Sequence, residues 1–83
     1  MRYFVYILQS QKDQSYYIGF SSDLDDRLKR HNAGREKYSK HKAPWDLIWY
    51  TKKNTRDKAI KLEKKLKNFK SRIRIANFIE RYS

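Results

Sequence analysis

Cysteine is absent from the 83 residues, so neither a disulfide framework nor a thiolate metal site can hold this chain together. With one proline and two glycines it has no linker, no low-complexity segment and no internal repeat. Its longest apolar run, Tyr3 to Leu8, is six residues, too short for a membrane span. The N-terminal stretch also lacks a small-residue cleavage site, so it does not read as a signal peptide. No Arg/Lys-rich amphipathic segment carries a large aromatic face, which disfavours a membrane surface. A cytoplasmic protein is the expectation.

Acidic residues are the other scarcity. Nine Asp and Glu face 21 Lys and Arg, for a net charge of +12. Such an excess points to a polyanionic partner, most often nucleic acid. The charge is concentrated: Lys52 to Arg74 hold eleven basic residues and two acidic ones. What is abundant is aromatic side chain: seven tyrosines, four phenylalanines and two tryptophans in a chain that is 39% hydrophobic. Residues 1–83 are therefore expected to form one small domain with one modest, aromatic-rich core.

Residues 2–8, "RYFVYIL", read as a strand. Tyr3, Val5 and Ile7 point one way and Phe4, Tyr6 and Leu8 the other, so the strand is expected to be covered on both faces. The polar "QSQKDQS" is the hairpin connection and "YYIGF" the returning strand, with Gly19 removing a side chain where another group comes close. Ser22 is the expected cap of a first helix, with Asp25 in the capping-box position and Asn32 to Gly34 ending it. "REKYSKHKAP" is a polar, basic loop, and "WDLIWYT" a third strand. Thr55 or Asn54 starts a second helix that runs to about Asn68, and Ser71 caps a third from about Arg72 to Tyr82. The order β-β-α-β-α-α predicts an α+β domain, a small three-stranded antiparallel sheet flanked by helices.

Two helices carry charge where apolar side chains belong. At ~100° per residue, Leu24 and Leu28 share one side of the first helix, and Arg27 and His31 fall on that same side. Asp25, Asp26, Lys29 and Arg30 take the flanks and the outer face. In the second helix, Glu63 projects within the arc of Ala59, Leu62 and Leu66, while Lys61, Lys64 and Lys65 lie outside it. Burying a lone carboxylate costs several kcal/mol unless a partner compensates, on the order of what removing one member of a buried pair costs. Lys67 at i+4 or Arg27 could be that partner. Tyr6 and Tyr17, on paired strands, can bring hydroxyls to the same place. Together these five supply what phosphodiester hydrolysis requires: a cation for phosphate, a carboxylate for metal, and phenol or imidazole for proton transfer.

"VY" at 5–6 followed by "YIG" at 17–19 resembles the paired signature of the GIY-YIG nuclease superfamily. "RLKRHN" around Arg27 and "AIKLEKKLK" around Glu63 extend the resemblance over nearly the whole chain. It is most similar to the small stand-alone members, which are themselves similar to an excinuclease nuclease domain. The resemblance implies a metal-dependent endonuclease cleaving DNA, branched or damaged, in repair or recombination. Glu63 would hold one Mg²⁺ or Mn²⁺, and Arg27 would clamp the scissile phosphate. Tyr6 would position or deprotonate the attacking water, His31 would be a candidate proton acceptor, and Tyr17 would add a hydrogen bond near the phosphate. Lys61, Lys64 and Lys65 would contact the DNA backbone.

Three departures mark where this cleft differs. Phe20 stands where many members have lysine, and Phe4 where the first motif has glycine. The asparagine that many members carry after the glutamate has no clear counterpart; Asn77 is chosen over Asn68. Such changes would weaken or abolish cleavage. The alternative is thus a non-catalytic nucleic-acid-binding module on the same fold, or, more distantly, a structural partner of ribonucleoprotein. RNA stays open as a substrate, and with no added DNA-reading domain visible in 83 residues, low sequence specificity is expected unless a protein partner supplies it.

Overall fold

β1 (Tyr3–Ser10) is the middle strand of an antiparallel sheet ordered β2-β1-β3, with β2 (Tyr16–Ser21) on one side and β3 (Trp45–Lys53) on the other. The computed structural model describes residues 2–82. Three helices, α1 (Leu24–Asn32), α2 (Arg56–Lys67) and α3 (Arg72–Tyr82), complete the order β-β-α-β-α-α. The fold is the α+β arrangement expected from the sequence.

Strand alternation divides the interior in two. Val5 and Ile7 join Ile18, Ala59, Leu66 and Ile75 on the α2–α3 face. Tyr6 and Leu8 join Trp45 on the opposite face, under Leu24 and Leu28 of α1. Consequently α1 and α2 lie on opposite sides of the sheet. Leu66 is fully buried, a burial worth about 1.5–3 kcal/mol, so the apolar stripe of α2 anchors that layer.

Both outer boundaries of the sheet run further than the apolar pattern suggests. β1 continues through Gln9 and Ser10, which pair with Asp46 and Trp45, and β3 continues to Lys53, opposite Tyr3. Backbone pairing needs no apolar side chain, so polar residues extend a ladder that composition alone would end. Ser10 is buried and satisfied: its hydroxyl donates to the Lys42 carbonyl at 2.6 Å and accepts from the Lys12 amide at 3.0 Å.

The first helix is capped by Asp23, not Ser22. The Asp23 carboxylate accepts from the Asp26 amide at 3.0 Å, and its negative charge also suits the helix N-terminus. The buried Ser21 hydroxyl is bonded to both the amide and the carbonyl of Asp23, which sets the turn one residue later. Gly34 follows the helix at φ +74°, the left-handed conformation in which glycine is least strained. Thr55 caps α2, accepting from the Lys58 amide at 3.2 Å, and Ser71 accepts from the Arg74 amide at 3.4 Å. The basic loop of residues 35–44 is not merely polar surface. It contains a 3-10 turn over Lys40–Lys42 and a fully buried serine, Ser39.

Candidate active site

Where β2 forms the outer strand, a cleft of about 360 Å³ opens between the two helix layers. Its walls include Tyr6 of β1, Tyr17 of β2, Arg27 of α1 and Glu63 of α2. Four elements thus deliver charged or phenolic groups to a single opening, although α1 and α2 cover opposite faces of the sheet. Tyr3, Phe20 and Ser22 complete much of the remaining surface.

The β1–β2 register explains how the two tyrosines meet. Tyr6 pairs with Gly19 and Leu8 with Tyr17, so both phenols lie on the α1 face, two residues apart along β2. The glycine is needed. A Cβ at residue 19 would fall 2.7 Å from the Tyr6 hydroxyl and 2.8 Å from its ring carbon Cζ, inside contact distance.

His31 does not line the cleft; it sits behind Tyr6 with no exposed surface. The Tyr6 hydroxyl and His31 Nε2 are hydrogen-bonded at 3.1 Å, and His31 Nδ1 and the Ser39 hydroxyl at 2.6 Å. The imidazole also stands edge-on to the Tyr17 ring, with centroids 4.6 Å apart. Ser39 is held in turn by Trp45, whose indole N–H donates to the Ser39 carbonyl at 2.9 Å. Ser39 was invisible to sequence reasoning because it lies in an irregular loop with no periodicity.

Burial shapes the protonation of this group. It lowers the pKa of His31 below the ordinary 6.5, opposed by the negative charge of Glu36 and aided by Arg27. It raises both phenols, Tyr6 the more strongly, with the Tyr17 phenol adding to the shift at Tyr6. A neutral imidazole therefore faces a phenol that resists ionisation on its own.

The two charged residues have separate partners. Arg27 is 3.8 Å from Glu36, a loop carboxylate that the pattern of α1 gave no means of finding. Glu63 is 3.6 Å from Lys67 on the next turn, and its side chain keeps only 16% of its surface exposed. Both pairs leave Arg27 and Glu63 among the cleft's lining residues.

Asn77 goes elsewhere. It is exposed on α3 and lines a different groove, beside Phe69 and Phe78. Phe4 turns toward β3, its ring 6.2 Å from that of Tyr50, and is not among the residues lining the cleft. Phe20 does line it, and the Arg56 guanidinium lies 5.8 Å from the centre of its ring. Lys61, Lys64 and Lys65 are exposed. Among the described residues no cluster of three or more His, Asp or Glu side chains could hold a metal by itself, and no helix is long and apolar enough to cross a membrane.

A tyrosine pair across one hairpin, an arginine from the first helix and a glutamate from the second thus meet at one polar opening. Residues 2–76 match the GIY-YIG catalytic domain, and the chain belongs to that family of nucleases. Within it the chain is similar to the UPF0213 proteins. It is 38% identical over 80 residues to the one from Listeria welshimeri, spanning 95% of this chain and 88% of that protein. The UPF0213 protein of Staphylococcus saprophyticus is 33% identical over 69 residues, covering 82% of this chain and 83% of its own. The solution NMR structure of the UPF0213 protein BH0048 from Bacillus halodurans superposes with a TM-score of 0.65 at 29% identity, covering 99% of this chain and 86% of the other.

Proposed function

We propose that this protein is a divalent-metal-dependent endonuclease that hydrolyses DNA phosphodiester bonds. The observation that carries this reading is the convergence of Tyr6, Tyr17, Arg27 and Glu63 on one polar cleft. The family's action on DNA supports it, as does the net charge of +12.

Arg27 presents a planar guanidinium, suited to grip two phosphate oxygens and to offset charge that develops on them. Its pairing with Glu36 holds the fork at the cleft before substrate arrives. Among the described residues, Glu63 is the one carboxylate that lines the cleft. That donor set fits a hard cation such as Mg²⁺ or Mn²⁺, which binds through one or two carboxylates and takes its other ligands from water and substrate phosphate. When bound, the cation supplies Lewis-acid activation and neutralises phosphate charge.

Tyr6 and His31 manage the proton. Water attacks phosphorus, one phosphorus–ester oxygen bond breaks, and the departing oxygen takes a proton from solvent. As the water's proton reaches the Tyr6 hydroxyl oxygen, the Tyr6 proton passes to His31 Nε2 along the existing 3.1 Å hydrogen bond. The phenol thus never has to exist as a free phenolate, which its burial opposes. This direction requires His31 to carry its resting proton on Nδ1, where the Ser39 hydroxyl accepts it. Glu36 favours the imidazolium that forms. Tyr17 contributes a hydroxyl near the phosphate.

The experiment is incubation of the purified protein with branched, single-stranded and duplex DNA, with Mg²⁺ or Mn²⁺ and with chelator. Metal-dependent scission of at least one substrate is expected. Salt-sensitive binding with no cleavage under any divalent metal would transfer the assignment to a nucleic-acid-binding module, with Phe20 in the cleft as the departure to revert first.

A further inference from the structure

A second opening on the molecule is larger than the cleft. This groove, of about 590 Å³, runs between the C-terminal end of α2 and α3. Phe69, Phe78 and Tyr82 line it, with ring centroids 5.9 Å apart for Phe69 and Phe78 and 4.9 Å for Phe78 and Tyr82. Lys65, Arg74 and Arg81 also line it, three cations against the single carboxylate of Glu80. Tyr82 keeps 60% of its surface exposed. An aromatic surface within a cationic rim is the combination that binds single-stranded nucleic acid: rings stack on bases of any sequence while cations follow the phosphates.

The groove is joined to the cleft by charge. Viewed down α2, Lys67, Lys64, Lys61 and Lys65 stand about 40°, 100°, 160° and 200° round from Glu63, at ~100° per residue. Glu63 opens into the cleft and Lys65 into the groove. The lysines between them are exposed, so a lysine-rich surface, which Ile60 and Asp57 at about 60° and 120° also share, crosses the helix, whose width with side chains is about 10–12 Å.

We propose that the α2–α3 groove binds the unpaired bases of a single-stranded DNA segment continuous with the strand held in the cleft. This rests on the DNA reading above and adds to it a second contact surface, for unpaired bases next to the scissile phosphate. A fully paired duplex keeps its bases stacked internally and offers these rings nothing to stack on. The cationic rim favours a polyanion over an apolar peptide as occupant.

The test is binding in chelator, so that no substrate is consumed, followed by anisotropy of labelled DNA. Three ligands are compared on the full chain: a blunt duplex, the duplex with a short single-stranded tail, and the same tail with abasic sites. The tail is expected to tighten binding about 5-fold or more, since one stacked base is worth that much or more, and the abasic tail to lose most of the gain. Fluorescence of Trp49, whose ring lies 5.0 Å from Phe78, should respond to the tail but not to its abasic form. Tyr82→Ser should remove the same increment while leaving the salt dependence unchanged. Equal affinity for normal and abasic tails in the unaltered chain would overturn the proposal and leave the groove to a protein segment, whether or not the protein cuts. Tail-dependent binding without cleavage would keep the groove and remove the endonuclease reading.

Discussion

Gly19 faces Tyr6 across the β1–β2 ladder so closely that a single added methyl group would stand 2.7 Å from the phenol oxygen. The Tyr6 ring is 1% exposed and tied to His31, so it has little room to swing aside. The glycine is therefore part of the cleft's geometry as well as of the strand. Gly19→Ala is expected to cost about 1–3 kcal/mol, as overpacking does, and to reduce cleavage more than partial unfolding accounts for. Thermal unfolding and turnover measured below the transition separate the two effects. An unchanged rate would mean that Tyr6 can move without consequence.

Glu63→Gln should abolish metal-dependent cleavage and leave DNA binding largely intact. Its effect on stability should be small, because an i,i+4 ion pair such as Glu63–Lys67 is worth only about 0.2–0.5 kcal/mol. A large fall in Tm with cleavage retained would make the carboxylate a structural partner of Lys67 and nothing more.

Arg27→Lys keeps the charge and loses the planar fork. Turnover should drop strongly while affinity for DNA stays near its original value. Glu36→Gln provides the complementary measurement: it leaves Arg27 in place without the partner at 3.8 Å. A rate that survives Arg27→Lys would reduce the arginine's role to neutralising Glu36.

The Tyr6–His31–Ser39 chain makes a prediction in pH. Burial holds His31 below its ordinary pKa of 6.5, so the imidazole stays neutral at neutral pH and able to accept a proton. Cleavage should fall on the acid side of 6.5, as His31 protonates. Stability has the same sign: the unfolded chain takes up this proton at higher pH than the folded one, so stability is lost as pH falls from 6.5 through the lowered folded value. Ser39→Ala removes the partner of a fully buried ring nitrogen, at a cost of about 1–3 kcal/mol, and should displace the acid limb of the rate profile. A profile that does not shift would exclude Ser39 as a positioning residue.

Binding should weaken steeply with salt. Replacing Lys61, Lys64 and Lys65 together should lower the log–log slope by up to about 0.9 for each phosphate that the helix no longer neutralises on duplex DNA. Cleavage at saturating DNA should change little, because Glu63 opens away from these lysines. Tyr6→Phe with Tyr17→Phe should do the reverse, cutting turnover and sparing the slope. A flat slope in the unaltered protein would exclude DNA backbone contacts as the source of affinity.

Periodicity and composition by themselves determined the order of elements and the doubly covered central strand. They also placed Arg27, His31 and Glu63 on faces where charge is costly, because a regular element fixes where each of its own side chains points. They could not say what meets those side chains. Arg27 found Glu36 and His31 found Ser39, both in the irregular stretch between α1 and β3, where no repeat carries information about direction. The cap at Asp23 was decided by the buried hydroxyl of Ser21, and Asn77 was set in the far groove by the way α3 packs. That α1 and α2 lie on opposite faces of the sheet, yet bring Arg27 and Glu63 to one cleft at its edge, depends on tertiary packing. Only the packed sheet brings together groups that are 36 positions apart in the chain.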